Sequence, residues 1–312
     1  MCTTISLPLR NLFMVGLLLL LLPATAQASA AKLQATYVQL ENELEENDYG
    51  IPVYILSNGE NNTMLGEIYG IIDHPFLTVH DSLATPKNWC DIVPLHLNIK
   101  ACTYQHMDGI CKLTFYTGRK FYEKADDVYQ IGYDFSLTQD QQNYFHANLS
   151  GGSGPMGTKD YNIQVEAIPL NDSKTFIHFS YSYKYNFLTS IGMNTYLATI
   201  GVNKVGFSIT GEDEDGQPIY TDGIRGIIER NSVRYYFAIQ SYLDTLHVEQ
   251  NKIFHTRINK WFDFTEEYPR QLREMDRNDY LKYKLLENKD QQRLQDIIKQ
   301  YQNNIKKCVS ST

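Results

Sequence analysis

Apolar and polar residues alternate from Lys174 to Phe187. Ile177, Phe179, Tyr181, Tyr183 and Tyr185 fall on one side, and Phe176, His178, Ser180, Ser182 and Lys184 on the other. A period of two predicts a long strand with one buried face. Five earlier segments carry the same signal: Val93 to Tyr104, Cys111 to Tyr122, Val128 to Leu137, Tyr144 to Ser150 and Tyr161 to Pro169. Parity turns Leu95, Leu97 and Ile99 inward and His96, Asn98 and Lys100 outward. It groups Leu113, Phe115, Thr117, Arg119 and Phe121 on the next strand, then Tyr129, Ile131, Tyr133, Phe135 and Leu137. It also turns His146 and His178 outward. Six consecutive antiparallel strands with one apolar face each predict a curved sheet. Two further strands, Ile51 to Leu56 and Met64 to Ile72, flank a turn-rich Ser57 to Asn62 and predict a hairpin.

Helical spacing appears elsewhere. Leu33, Tyr37, Leu40 and Leu44 mark a short amphipathic helix, and Phe76, Val79, His80 and Leu83 another, opened by Pro75 and stopped by Pro86. A helix is predicted over Phe187 to Ile200. The longest lies at Asp222 to Leu246, where Ile224, Ile228, Tyr235, Ile239, Tyr242 and Leu246 recur near a heptad and Asp222 suits an N-cap. At about 1.5 Å per residue it is long enough to cross a sheet and cover its apolar face. Past His247 the composition turns polar. Leu294, Ile298, Tyr301 and Ile305 mark one helix, Tyr268, Leu272 and Met275 another, and Trp261, Phe262 and Phe264 dock the segment. The reading is α+β: residues 1–30 a signal peptide, 31–250 a sheet-and-helix domain, and 251–312 a C-terminal helical extension.

The N-terminal assignment rests on Arg10, an apolar run from Leu12 to Leu22, Pro23, and the small-residue steps that follow. This order predicts cleavage and export to a periplasmic or secreted location, and the run is short for a membrane span. Removing Arg10 with the signal takes the formal net charge from −8 to −9. An acidic chain is a poor match for nucleic acid, so no nucleic-acid partner is expected. An oxidising destination favours disulfides among Cys90, Cys102, Cys111 and Cys308. Three pairings are open. A Cys102–Cys111 bridge across a hairpin turning at Asp108-Gly109, with Cys90–Cys308 tying down the tail, is one.

Catalytic and metal motifs are missing. Gly151 to Pro155 approaches a nucleophile elbow but ends in proline, and Thr158-Lys159 reverses the order a phosphate loop needs. Gly211 to Asp222 puts Gly211 where a calcium loop needs Asp and Asp222 where it needs Glu. The eight histidines show no paired metal spacing. No cofactor, metal or catalytic residue is therefore assigned. Asn61, Asn148 and Asn171 open glycosylation sequons, a pattern short enough to arise by chance.

The element order over Ile51 to Leu246, with His74 to Leu83 and Asn88 to Leu95 leading into the central strands, resembles the helix-grip fold of the START and SRPBCC superfamily. That resemblance implies a hydrophobic cavity between sheet and long helix. It transfers no catalytic residue, and the segments at 187–221 and after 247 depart from it. The buried rows change from phenyl and aliphatic groups to phenols, whose hydroxyls need partners or water. Phe115, Arg119, Tyr129, Tyr133, Phe179, Tyr181, Tyr183 and Tyr235 are accordingly the expected ligand-binding residues. Arg119 has two readings: its stem reaches the sheet edge and its charge meets water, or it pairs with an anionic group in the cavity. The expected function is binding of a hydrophobic or amphipathic small molecule, lipid-, sterol- or polyketide-like, with transient membrane contact. The alternatives are a cyclase, dehydratase or hydrolase using cavity tyrosines and Glu166 or Asp134, and an envelope interaction protein acting through its C-terminal helices.

Overall fold

The computed structural model describes residues 22–107, 109–186 and 204–310. The chain opens with α1 (Leu22–Glu45), then the hairpin β1 (Val53–Asn58) and β2 (Thr63–Ile72), then α2 (Phe76–Leu83) and α3 (Trp89–Ile92). Six strands follow in a meander: β3 (Ile99–Met107), β4 (Ile110–Thr117), β5 (Tyr129–Gln141), β6 (Tyr144–Gly151), β7 (Lys159–Pro169) and β8 (Thr175–Lys184). They form one antiparallel sheet in the order β1-β2-β8-β7-β6-β5-β4-β3, because β8 returns to pair with β2 along ten residues. A small hairpin, β9 (Ile209–Glu212) and β10 (Pro218–Tyr220), precedes the long helix α4 (Gly223–Leu243). Helices α5 (Gln250–Glu266), α6 (Pro269–Leu272) and α7 (Arg277–Ser310) complete the chain. This is the helix-grip arrangement, with α4 in the hollow of a curved sheet. The helix expected at 187–200 and the signal segment before residue 22 lie outside the described residues.

Helix α4 can lie this close to the sheet because β2 offers no side chain where they cross. A Cβ on Gly66 would stand 2.4 Å from Ser232 Oγ, and one on Gly70 2.5 Å from Tyr236 Oη. The predicted stripe is inside at Ile228, Tyr235, Ile239 and Tyr242, while Leu246 is exposed. Val233 and Tyr236 are buried toward β1 and β2, and burial extends around the helix to Phe237, which meets Phe264 and Tyr268 where α5 and α6 cover the far side. Trp261 anchors that cover, donating from its indole N–H to the carbonyl of Arg234 at 3.0 Å. The expected helix around Tyr268 to Met275 is a single turn opened by Pro269.

The outer face of the sheet is less exposed than alternation suggests. Helix α1 lays Leu33, Tyr37, Leu40 and Leu44 over Tyr144, Ile168 and Phe176, so Phe176 is buried on the face expected to meet water. Beside it, His178 lies between two carboxylates, with Nδ1 2.8 Å from Glu166 Oε1 and Nε2 2.9 Å from Glu67 Oε1. Its ring stacks on Tyr69 at 4.2 Å. Tyr144 Oη donates to the other Glu166 oxygen at 2.6 Å. Burial opposes charge on His178, but the two carboxylates overcome it and raise its pKa. The expectation of a solvent-facing histidine fails here because strands β2 and β7 place an acid on each side of it.

The largest departure is the C-terminal helix. Helix α7 runs along edge strand β3 and satisfies its open backbone with side-chain amides. Gln291 Oε1 accepts from Cys102 N–H at 2.7 Å, and Gln295 both accepts from Tyr104 N–H and donates to Tyr104 O, each at 2.9 Å. Farther along, Gln302 donates to His106 O. The helix thereby blocks an edge that would otherwise template pairing with another chain. At the start of β3, Lys100 is an extra residue between the Ile99–Thr117 and Ala101–Tyr116 pairs, a bulge that reverses parity. Lys100, expected outside, is instead buried and paired with Glu287 at 2.9 Å, and Lys284 joins the same carboxylate at 2.7 Å.

Among the described residues the disulfide is Cys90–Cys102, with Cys111 buried as a thiol. A Cys102–Cys111 bridge conflicts with the register. Cys102 faces Phe115 and Cys111 faces His106, four residues away on each strand. That is roughly 13 Å along the ladder, beyond the ~7 Å limit between bridged Cα atoms. The side chain of Cys308 lies outside the described residues.

Candidate functional site

Between the concave face and α4 lies a cavity of about 190 Å³. Strands β4, β5 and β8 supply Phe115, Ile131, Tyr133, Tyr181 and Tyr183, and α4 supplies Tyr235 and Asn231. The rings interlock: Phe115 and Tyr133 are 4.4 Å apart, Tyr181 and Tyr183 5.7 Å, and Tyr181 and Tyr235 5.4 Å in an edge-to-face contact. The pairing register makes this cluster. Tyr133 sits opposite Leu113 on one side and Gly151 on the other, so its ring lies over a glycine where a Cβ would stand 2.7 Å from it.

Five expected residues line this cavity: Phe115, Tyr133, Tyr181, Tyr183 and Tyr235. Phe179 lies one layer away, 6.1 Å from Tyr235 and fully buried. Two do not reach it. Strand β4 ends at Thr117, so Arg119 leaves the row, is exposed, and lies 5.7 Å from the ring of Phe121. Of its two readings, contact with water is the one the geometry supports. Tyr129 is 42% exposed at the start of β5.

The sequence reading missed His96, Asn98, Thr158, Tyr161 and Asn231. His96 was assigned outward by reading strand parity back from Ile99, but Val93 to Leu95 form a 3-10 turn and the strand has not begun. Its ring is 3% exposed and stacks on Tyr235 at 4.6 Å. Tyr161 comes from a strand whose parity was read only from Ile163. Its hydroxyl shares a 2.6 Å hydrogen bond with Thr158 Oγ1. The cavity mouth is formed by the glycine-rich β6–β7 connection, where Met156 is 67% exposed.

Electrostatically the cavity is lined by neutral groups. Burial raises the pKa of Tyr133, Tyr181, Tyr183 and Tyr235, and none of the four is held by a hydrogen bond among the described residues. Burial also pushes His96 well below the usual histidine value, helped by the charges of Arg234, Lys284 and Lys100. No carboxylate is among the described lining residues. Glu166 is with His178 on the outer face, and Asp134 pairs with Lys112 at 2.7 Å in solvent. Among the described residues no group of three or more acidic, histidine or cysteine side chains could hold a metal ion.

Sheet, helix and cavity together define a chain of helix-grip fold with a cavity between sheet and helix whose wall is rich in phenols. No family model matches the sequence, and no curated protein matches it significantly. Solved structures of similar fold include human StAR-related lipid transfer protein 5 at 11% identity and a TM-score of 0.34, over 71% of this chain and 99% of that one. Another is the ZhuI aromatase/cyclase from Streptomyces sp. R1128 at 10% identity and 0.30, over 67% and 95%. A third is norcoclaurine synthase from Thalictrum flavum, in complex with dopamine and hydroxybenzaldehyde, at 11% identity and 0.31, over 48% and 88%. Likeness at this level identifies neither a ligand nor a reaction.

Proposed function

We propose that the protein is a binding protein for a small amphipathic organic molecule, held between the sheet and α4. The observation that carries this reading is the cavity itself. Rings from β4, β5, β7, β8 and α4 line it, and among the described residues the phenols of Tyr133, Tyr181, Tyr183 and Tyr235 make no hydrogen bond and the buried Nε2 of His96 has no partner. At about 190 Å³ it is smaller than the roughly 300–1,000 Å³ typical of drug-sized ligands. The occupant is therefore closer to a single ring system than to a sterol or a two-chain lipid. Burying about 150 Å² of apolar ligand surface is worth ~4 kcal/mol, equivalent to only millimolar affinity. Polar contacts supply the rest.

Export after cleavage near residue 30 belongs to the same reading. The Cys90–Cys102 disulfide supports an oxidising destination, and the packing residues Leu33 to Leu44 of α1 all follow the cleavage point. Brief contact of the exposed Met156 at the mouth with a membrane would be a route for loading. The test is native mass spectrometry of protein taken from its own compartment. A single co-purifying organic molecule per chain is expected, lost in an Ile131→Phe variant that fills the cavity. Recovery of only the empty chain, together with no response to small aromatic probes, would refute the proposal.

A further inference from the structure

His96 specifies more than a polar spot in the wall. Its Nδ1 lies 3.1 Å from the backbone nitrogen of Asn98, and a backbone N–H can only donate. Nδ1 therefore carries the lone pair. The ring is neutral, held so by burial and by the cations of Arg234, Lys284 and Lys100. The proton consequently sits on Nε2, and that N–H, although buried, has no acceptor in the protein among the described residues. Asn231 is near enough to oppose the shift in pKa, but it is not in hydrogen-bond geometry with Nε2.

The ring cannot easily turn away to find another partner. Tyr235 stacks on it from α4, and Lys284 Nζ pins its backbone by donating to His96 O at 2.8 Å. A buried donor left unmade is unfavourable, and an acceptor on the occupant would relieve it. The cations nearest His96 face carboxylates: Arg234 pairs with Glu274, and Lys284 and Lys100 with Glu287. They act on His96 but do not line the cavity. Their field favours the negative end of a dipole at Nε2. A carboxylate ligand would have to shed its water with no cation in contact, and an ammonium ligand would meet no carboxylate.

We infer that the cavity selects an uncharged carbonyl compound on a flat, one-ring skeleton, its oxygen accepting from His96 Nε2–H and its ring lying among Phe115, Tyr133 and Tyr181. The inference rests on the cavity being a ligand site and adds the chemistry of the ligand. It is tested by titrating the folded protein with four matched probes: acetophenone, ethylbenzene, benzoate and phenethylammonium. Acetophenone binding about tenfold tighter than ethylbenzene, and benzoate and phenethylammonium binding weaker still, is the expected order. In His96→Phe, which keeps a ring for Tyr235, the advantage of acetophenone over ethylbenzene is expected to vanish. Nitrogen-15 NMR of the unsubstituted protein gives a second measurement that does not depend on a variant folding. It should find the proton on Nε2 and a shift of that nitrogen on adding acetophenone. Equal affinity for acetophenone and ethylbenzene, or a proton on Nδ1, would overturn the carbonyl assignment while leaving the cavity a binding site. Failure of all four probes, with no co-purifying molecule, would remove both.

Discussion

Replacing Glu287 by alanine should damage the protein more than loss of any surface ion pair. Its two oxygens take the ammonium groups of Lys100 and Lys284 at 2.9 and 2.7 Å, and all three side chains are 3% exposed or less. Both lysines have further partners: Lys100 donates to Leu97 O, and Lys284 to the carbonyls of His96 and Ile99. Removing the carboxylate leaves those hydrogen bonds but strands two buried cations. Breaking a buried pair costs about 3–5 kcal/mol, whereas an exposed pair such as Lys252–Glu249 is worth about 1 kcal/mol or less. At roughly 2–4 °C per kcal/mol, the melting temperature should fall by roughly 6 to 20 °C. Urea titration with paired calorimetry gives the value. A pH series adds an independent sign. Burial lowers Lys284 to about 8 from an ordinary 10.5. Between those values the unfolded chain binds the extra proton, so stability contributed by this group rises as pH increases from 8 toward 10.5. Glu287→Ala should push that window lower, because the carboxylate is what holds the lysine's pKa up. A loss below 1 kcal/mol, or no movement of the window, would refute the idea that this network seats α7 on β3.

Three further outcomes follow from the same structure. Gly66→Ala should force α4 off β2, because its Cβ would stand 2.4 Å from Ser232 Oγ and 3.0 Å from Ile228 Cγ1; a destabilisation of about 1–3 kcal/mol in urea is expected, and a neutral result would mean the helix has room to move. Reducing Cys90–Cys102 should cost about 3 kcal/mol for a closed loop of this length, and peptide mapping without reductant should recover a Cys90–Cys102 bridge with Cys111 as a free thiol. His178→Ala should change the pH dependence of stability in a defined direction. The raised pKa of His178 means its contribution is full below about 6.5 and is lost as pH rises through the folded value, while Glu166, whose pKa is lowered, contributes above about 4.5. The variant should therefore lose more stability at pH 5.5 than at pH 8.5, and equal losses would rule out a charged His178 between its two acids.

The parts of the site visible in the sequence were those carried by unbroken alternation. Tyr133, Tyr181 and Tyr183 all lie within strands β5 and β8, where the chain is still paired to a neighbouring strand and parity holds, and all three reach the cavity. Arg119 and Tyr129 belong to the same written rows but lie at strand ends, where the chain leaves the sheet and a row stops having a side. His96 was lost for the opposite reason, since a turn and then a bulge at Lys100 separate it from the strand whose parity was applied to it. The sequence did contain a signal for what covers Lys100. Tyr280, Lys284, Glu287, Gln291 and Gln295 recur at spacings of four, three, four and four, one face of a helix. They are polar, so hydropathy passes over them and selects Leu294, Ile298 and Tyr301 instead, of which Tyr301 is 66% exposed. A helix that packs on a strand's open edge needs amides and ammonium groups to meet backbone carbonyls and N–H groups, and its inner face will not look apolar.

That polar face connects the tail to the cavity. Lys284 fixes the carbonyls of His96 and Ile99, Tyr280 Oη donates to Leu95 O at 2.9 Å, and His96 and Ile99 are themselves part of the cavity wall. Cutting the chain after Leu246 would therefore do two things at once. It would expose the β3 edge, with the N–H groups of Cys102 and Tyr104 open to another chain, and it would release the backbone carbonyls of Leu95, His96 and Ile99 at the cavity wall. Loss of a binding activity in such a truncation would not show that the tail itself is the binding surface. Gln302→Ala removes only the contact to His106 O at the far end of the strand. A change in small-molecule affinity in Glu287→Ala but not in Gln302→Ala would place the effect at the cavity wall. Equal effects in both would place it in the docking of α7 as a whole.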